Sequence, residues 1–148
     1  MSISNFDAAF PPLHKAVFDG EDATVFALIA SHPVPRGLEL EVPISFSYYD
    51  FTTEFTTLGT AVNYFSSVAV SSALLDAGAT PLALQLSSGP KTPLQLVQAT
   101  RKAAREMGTI DSFGEFWLDF CGRAPTAEWF DEVTALLVKA EVAARRRK

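Results

Sequence analysis

The chain has 148 residues, 48% of them hydrophobic and 20% charged, which is the length of one domain with enough apolar matter for a core of its own. Seventeen acids against twelve bases leave a net charge of -5, which disfavours nucleic acid and anionic membranes as partners. This composition excludes a disordered chain, and the single cysteine, Cys121, excludes an internal disulfide and fits a reducing compartment.

Met1 to Phe10 has no basic residue and carries Asp7, so it does not read as a signal peptide. No apolar run approaches the ~18 residues of a membrane span. The expectation is a soluble intracellular protein, cytoplasmic, with the nucleus as the alternative.

The first predicted element is a short helix that opens the segment Pro12–Ile29. Asp7 or a neighbour would start it, and Pro11 or Pro12 would be tolerated in its first turn. Gly20 ends it, and a second helix follows from Asp22, with Val25, Leu28 and Ile29 on one side. In Val34–Thr56 the pattern changes. Leu38, Leu40, Val42, Ile44, Phe46 and Tyr48 alternate with Glu39, Glu41, Pro43, Ser45 and Ser47, a period of two that predicts an extended strand. Pro43 confines that strand to an edge. Tyr49-Asp50 is the predicted turn, and Phe51–Thr57, rich in Thr and Phe, is the returning strand.

Two further helices are predicted over Thr57–Phe65 and Val68–Ala77, with Gly78 as a left-handed cap. Ser88-Gly89-Pro90-Lys91 reads as a turn. A helix over Thr92–Met107 follows, with Pro93 in its first turn, Arg101, Lys102 and Arg105 in its last turns, and Gly108 at its end. Phe113, Phe116, Trp117 and Phe120 predict a helix from about Phe113 to Cys121, opened by a Ser112/Glu115 capping box and stopped by Gly122. After Pro125, with Thr126 as N-cap, a long final helix carries Trp129, Phe130, Val133, Leu136, Leu137 and Ala140 as its apolar stripe. Asp111, Glu115 and Asp119 recur every four residues and read as a solvated acidic face or an attractor of a basic partner. The tail Arg145-Arg146-Arg147-Lys148 reads as a solvated helix end favoured by the dipole, or as an import or anionic-surface signal.

Two of these segments are copies of each other. Leu13, Ala16, Val17 and Val25 align with Leu58, Ala61, Val62 and Val70, and Leu28-Ile29 with Leu74-Leu75 after a one-residue slip. A third start is Lys91-Thr92-Pro93-Leu94. Small residues at Ala16 and Ala61 would let paired helices approach closely, and a lone hairpin of this size must stack to bury its apolar face.

Pro12-Leu13-His14, Thr57-Leu58, Thr92-Pro93-Leu94, Gly20 and Gly78-Ala79 together resemble the ankyrin repeat. That pattern opens on Thr-Pro-Leu-His, turns at a glycine and closes on Gly-Ala. Ser66-Ser67 stands at the turn of the second copy. The interval from Leu13 to Leu58 is much longer than the family's period of about 33 residues, so the resemblance places an insertion between the first two units. It implies one domain over 1–148, with units near 11–32, 57–79 and 92–107, an inserted finger at 34–56 and a helical cap at 112–146. The fold class is mostly α: an ankyrin-like helical repeat stack with an extended β-hairpin finger and a C-terminal helical cap.

The resemblance further implies a non-catalytic protein–protein interaction module, a scaffold whose partner is another protein, held by the concave face and the finger. Candidate partner-binding residues are Lys15, Phe18 and Asp19 from the first unit, Thr60, Asn63 and Tyr64 from the second, and Tyr48, Tyr49 and Phe51 from the finger. Tyr48, Tyr49, Phe51 and Phe55 read either as an aromatic contact surface or as core over the first two helices. Self-association through the unpaired finger edge is a further expectation. The alternative function is a small enzyme or small-ligand binder with a pocket near the aromatic C-terminal helices.

No chemistry-bearing motif stands out. His14, His32 and Cys121 do not have metal-ligand spacing, and no phosphate-cradling loop or nucleophile elbow appears. No catalytic residue, metal or cofactor is expected. His14 is expected to bond in the adjoining turn, and Cys121 to be a small core residue.

Overall fold

The computed structural model describes residues 12–31, 40, 44–48, 51–86, 89–106, 108–109, 114–115, 118 and 123–146. The described chain is mostly helical with a small antiparallel sheet. Its helices are α1 (Pro12–Asp19), α2 (Asp22–Ala30), α3 (Thr57–Asn63), α4 (Val68–Asp76), α5 (Pro93–Glu106) and α6 (Ala127–Arg146). Its strands are β1 (Ile44–Tyr48), β2 (Phe51–Phe55), β3 (Gln85–Leu86) and β4 (Pro90–Lys91).

Four of the helices, α3 to α6, begin where a side chain satisfies a free N–H group, whereas Glu21 at the start of α2 makes no such bond. Thr56 caps α3 by accepting from Gly59 N at 3.3 Å, and Ser67 caps α4 by accepting from Val70 N at 3.3 Å. Thr92 and Gln95 form a reciprocal capping box on α5: Gln95 N donates to Thr92 Oγ1 at 3.2 Å, and Thr92 N to Gln95 Oε1 at 3.0 Å. Thr126 Oγ1 accepts from Trp129 N at 3.0 Å at the start of α6.

Two helix pairs repeat one geometry. In the first, Glu21 N donates to Ala16 O at 2.9 Å; in the second, Ser66 N donates to Ala61 O at the same distance. Both outer helices, α2 and α4, are nine residues long. The α4 helix starts one residue later relative to its pair's leading leucine, which is the slip in the sequence alignment. The two turns also need a left-handed residue at the same place, and Gly20 supplies it with φ 75°. Its counterpart is Phe65, at φ 59°, rather than Ser66-Ser67 as the alignment placed the turn. A bulky residue rarely adopts this conformation. Phe65 is buried edge-on against Trp129, 5.3 Å between centroids, and that contact offsets the local strain.

The helices form two rows. In one, α1 packs on α3 and α3 on α5; in the other, α2 packs on α4 and α4 on α6. Ala16 and Ala61 are buried where α1 meets α3, as their small size requires. The core runs through both rows, from Leu13, Val17 and Val25 through Leu58, Val62, Val70 and Leu74 to Leu96, Val97, Phe130, Val133 and Leu137.

The sheet has the order β1-β2-β3-β4, with each neighbouring pair antiparallel. β1 and β2 form the hairpin between α2 and α3, with Ile44 opposite Phe55 and Tyr48 opposite Phe51. β3 and β4 form a shorter one between α4 and α5, with Leu86 opposite Pro90. Of the alternation expected from Leu38, Ile44–Tyr48 is strand and Leu40 is a buried turn residue, while 38, 39 and 41–43 lie outside the described residues.

The third element departs from the pair geometry. α5 continues for 14 residues, against eight in α1 and seven in α3, and carries Arg101 where Gly20 and Phe65 make their turns. The Thr92–Met107 expectation is met by Pro93–Glu106. Of the helix expected from Phe113 to Cys121, residues 114, 115 and 118 have helical backbone. Asp7, Pro11, the Tyr49-Asp50 turn, Ser112, Phe113, Trp117, Cys121 and Arg147-Lys148 lie outside the described residues.

Candidate functional site

The inner row was expected to expose a binding face. Its central helix is instead enclosed. Thr57, Leu58, Gly59, Thr60, Ala61 and Val62 are all buried, and only Asn63 of α3 is half-exposed. α1, α4, α5 and β2 pack around this short helix.

Two candidate residues are therefore corrected. Thr60 is fully buried, and its Oγ1 lies 2.5 Å from His14 Nε2 on α1. It joins α1 to α3 and offers nothing to a partner. Tyr64 is also buried; its ring sits edge-on to Phe18 at 5.0 Å and to Phe55 at 6.4 Å. Phe55 is core as well, so the core reading of that aromatic holds. Lys15 and Asp19 form an i,i+4 ion pair at 2.7 Å on the accessible side of α1, with Phe18 half-buried beside them. Tyr48 and Phe51 face each other across the hairpin, where only their backbone is described, and Tyr49 lies outside the described residues.

His14 does bond within the fold, though to a neighbouring helix rather than to the turn. Burial removes its ring from water and lowers its pKa from 6.5 to about 4, so it is neutral at physiological pH. No group of three or more His, Cys, Asp or Glu that could hold a metal occurs among the described residues.

The place where the ankyrin-like pattern has a histidine in the second copy is Gly59. The side-chain amide of Gln85 occupies the space beside it. Gln85 Oε1 accepts from Thr56 N at 2.7 Å and from Thr56 Oγ1 at 3.3 Å, while its Nε2 donates to Ala83 O at 3.1 Å. A Cβ at position 59 would collide with that amide. β3 is thereby tied to the N-terminus of α3, and the sheet is fixed to the helices.

At the opposite end, the C-terminal segment closes the helix pairs. Arg123 donates through Nη2 to Phe18 O at 2.6 Å and through Nη1 to Val17 O and Ser66 Oγ, both at 3.4 Å. A cation at the C-terminus of α1 suits its dipole. Trp129 Nε1 donates to Ser66 O at 2.8 Å.

Strand parity leaves one outward row open across the sheet: Ser45, Glu54, Leu86 and Pro90 stand side by side on the four strands. Ser45 Oγ donates to Glu54 at 3.4 Å. Leu84, two residues before Leu86, is 65% exposed. The opposite parity carries the buried Thr53, Phe55 and Gln85. Sequence reading passed over Leu84 and Leu86, although Leu84-Gln85-Leu86 before the Gly89-Pro90 turn has the period of a short strand.

A cleft of about 490 Å³ lies between the end of α4 and the second half of α6. Its polar side chains are Ser72, Asp76, Thr80 and Lys139, and Ala140, Ala143 and Ala144 line its α6 side. His14 does not line it, and neither do Trp129 or Phe130. No helix of the described chain is long and apolar enough to cross a membrane.

Compared with known proteins, the chain matches no family model, no curated protein and no solved structure.

Proposed function

We propose that the chain is a non-catalytic protein-binding module of ankyrin-like build, intracellular, with two helix-pair units, a divergent third and a helical closure. The support for that build is the repeated bond from Glu21 N to Ala16 O and from Ser66 N to Ala61 O, with hairpins between successive helix pairs. The binding surface is the outward face of the sheet, where Leu86 and Pro90 stand exposed beside Glu54, with the exposed Leu84 just before β3; Lys15, Asp19 and Asn63 are further accessible candidates on α1 and α3. The observation that carries this reading is the exposed Leu84–Leu86 pair on a sheet whose other face is fixed to the core by Gln85. Apolar side chains held rigidly at a surface lose little entropy on binding.

The test is parallel capture from a lysate with wild type and a Leu84→Asp/Leu86→Asp variant whose helical circular dichroism matches wild type. A protein retained by wild type and lost by the variant supports the reading. The same protein retained equally by both rejects this face. The second reading, a small-ligand binder, draws on the cleft between α4 and α6. A metabolite that raises the melting temperature of wild type, but not of an Ala140→Trp variant, would favour it.

A further inference from the structure

The outward face of α6 has a pattern that neither the core nor the cleft uses. Its core contacts are made by Phe130, Val133 and Leu137, all before residue 138. On the opposite side, Glu128, Asp131, Ala135, Val138, Val142 and Arg145 follow one another at alternating steps of three and four, and all six are exposed. Val138 is 45% and Val142 44% exposed. This spacing is the seam of a two-helix coiled coil. It runs along a helix of 20 residues, roughly 30 Å long.

The exposed charges of α6 are sorted. Glu128, Asp131 and Glu132 lie in its first half, and Lys139, Arg145 and Arg146 in its second, where the acid Glu141 is largely buried and paired with Arg145. A parallel neighbour with the same sequence would set like charges together. An antiparallel one sets Asp131 against Arg145 at both ends, Ala135 against Val142, and Val138 against itself across the twofold axis. The face is thus self-complementary, which is the requirement of an isologous interface. Asp131 already pairs with Arg101, and Arg145 with Glu141 at 3.2 Å, yet both seam side chains stay largely open to solvent. Each can take a second partner.

We infer that α6 is a homodimerisation helix: two copies of the chain pair antiparallel through Ala135, Val138 and Val142, with Asp131 of each facing Arg145 of the other. One helix pair is at the small end of specific interfaces, so the dimer is a weak one that fills with rising concentration. It leaves the outward sheet face free.

Sedimentation velocity on the full chain, from about 10 μM to about 1 mM at low salt, reads the association. Wild type moves from monomer to dimer across that range. Val138→Glu, which breaks no bond within the fold, stays monomeric. Asp131→Lys and Arg145→Glu each weaken self-association by roughly tenfold, because each puts two like-charge contacts in the dimer. A 1:1 mixture of these two variants restores dimer, since every contact across the axis is again opposite in sign. A wild type that stays monomeric to the top of the range overturns the inference. So does a dimer that is insensitive to Val138→Glu, or one that the mixture fails to restore; either would move the contact to another surface such as the edge of β1.

Discussion

Acidification is expected to loosen the chain through one residue, His14. Its ring is buried between α1 and α3, beside Thr60, and its pKa falls from 6.5 to about 4 because the charged form is cut off from water. An unfolded chain takes up the proton at the ordinary value; the folded chain resists it. Above pH 6.5 both states hold a neutral ring, and the full stability is present. Between pH 6.5 and about 4 the unfolded state binds more protons, and stability falls by about 1.4 kcal/mol per pH unit. The whole window amounts to about 3 kcal/mol, a large share of the roughly 5–15 kcal/mol that holds a domain together. The assay is urea unfolding from pH 7.5 to pH 4.5, run on wild type and on His14→Gln, whose amide keeps a polar group beside Thr60 but does not titrate. Carboxylates contribute equally to both chains, so the difference between the two curves reports His14. Wild type should lose nearly 3 kcal/mol more than the variant by pH 4.5, on the order of the window above. A difference that stays constant across the range would refute the reasoning, since it would mean that water reaches the ring.

Three further substitutions test the joints of the fold. Gly59→Ala should cost about 2 kcal/mol by crowding the Gln85 amide, and Gln85→Ala a similar amount by leaving Thr56 N without its acceptor. The double variant should cost little more than Gln85→Ala alone in chemical unfolding, because the collision has been removed. At position 65, both Phe65→Ala and Phe65→Gly lose the ring between α3 and α6, but the glycine variant should be the more stable by about 1 kcal/mol, because only it relieves the positive φ. Trp129→Phe removes the bond to Ser66 O and should lower stability by about 1 kcal/mol in the same assay.

Much of the helical layout was legible because it is written in local chemistry. Thr126 announces a helix start through a cap within three residues, and Gly20 announces a turn because glycine accepts that backbone without strain. The alternation around Ile44–Tyr48 marked the hairpin in the same way. The candidate surface was less legible, because exposure depends on what surrounds an element. A position on the inner row says which way Thr60 and Tyr64 point, not what lies over them. α1 supplies His14 and Phe18, and β2 supplies Phe55, to cover those two side chains. No spacing within α3 records that cover.

The two breaks in the repeat pattern have the same physical origin. Gly59 lacks the side chain that His14 provides in the first copy, and Phe65 lacks the conformational freedom of Gly20. Each loss is offset from a distant part of the chain: Gln85 brings an amide to Thr56 at position 59, and Trp129 brings a ring to position 65. The second helix pair is therefore held by contacts 29 residues (56 to 85) and 64 residues (65 to 129) apart in sequence. If that is the source of its stability, the second helix pair should not persist without its sheet and closing helix. Hydrogen exchange should then show the amides of α3 and α4 opening together with those of β3 and α6, as one cooperative unit. Protection of α3 and α4 that survives when α6 has exchanged would place their stability in the pair itself, and Gln85 and Trp129 would then be packing residues with no such role.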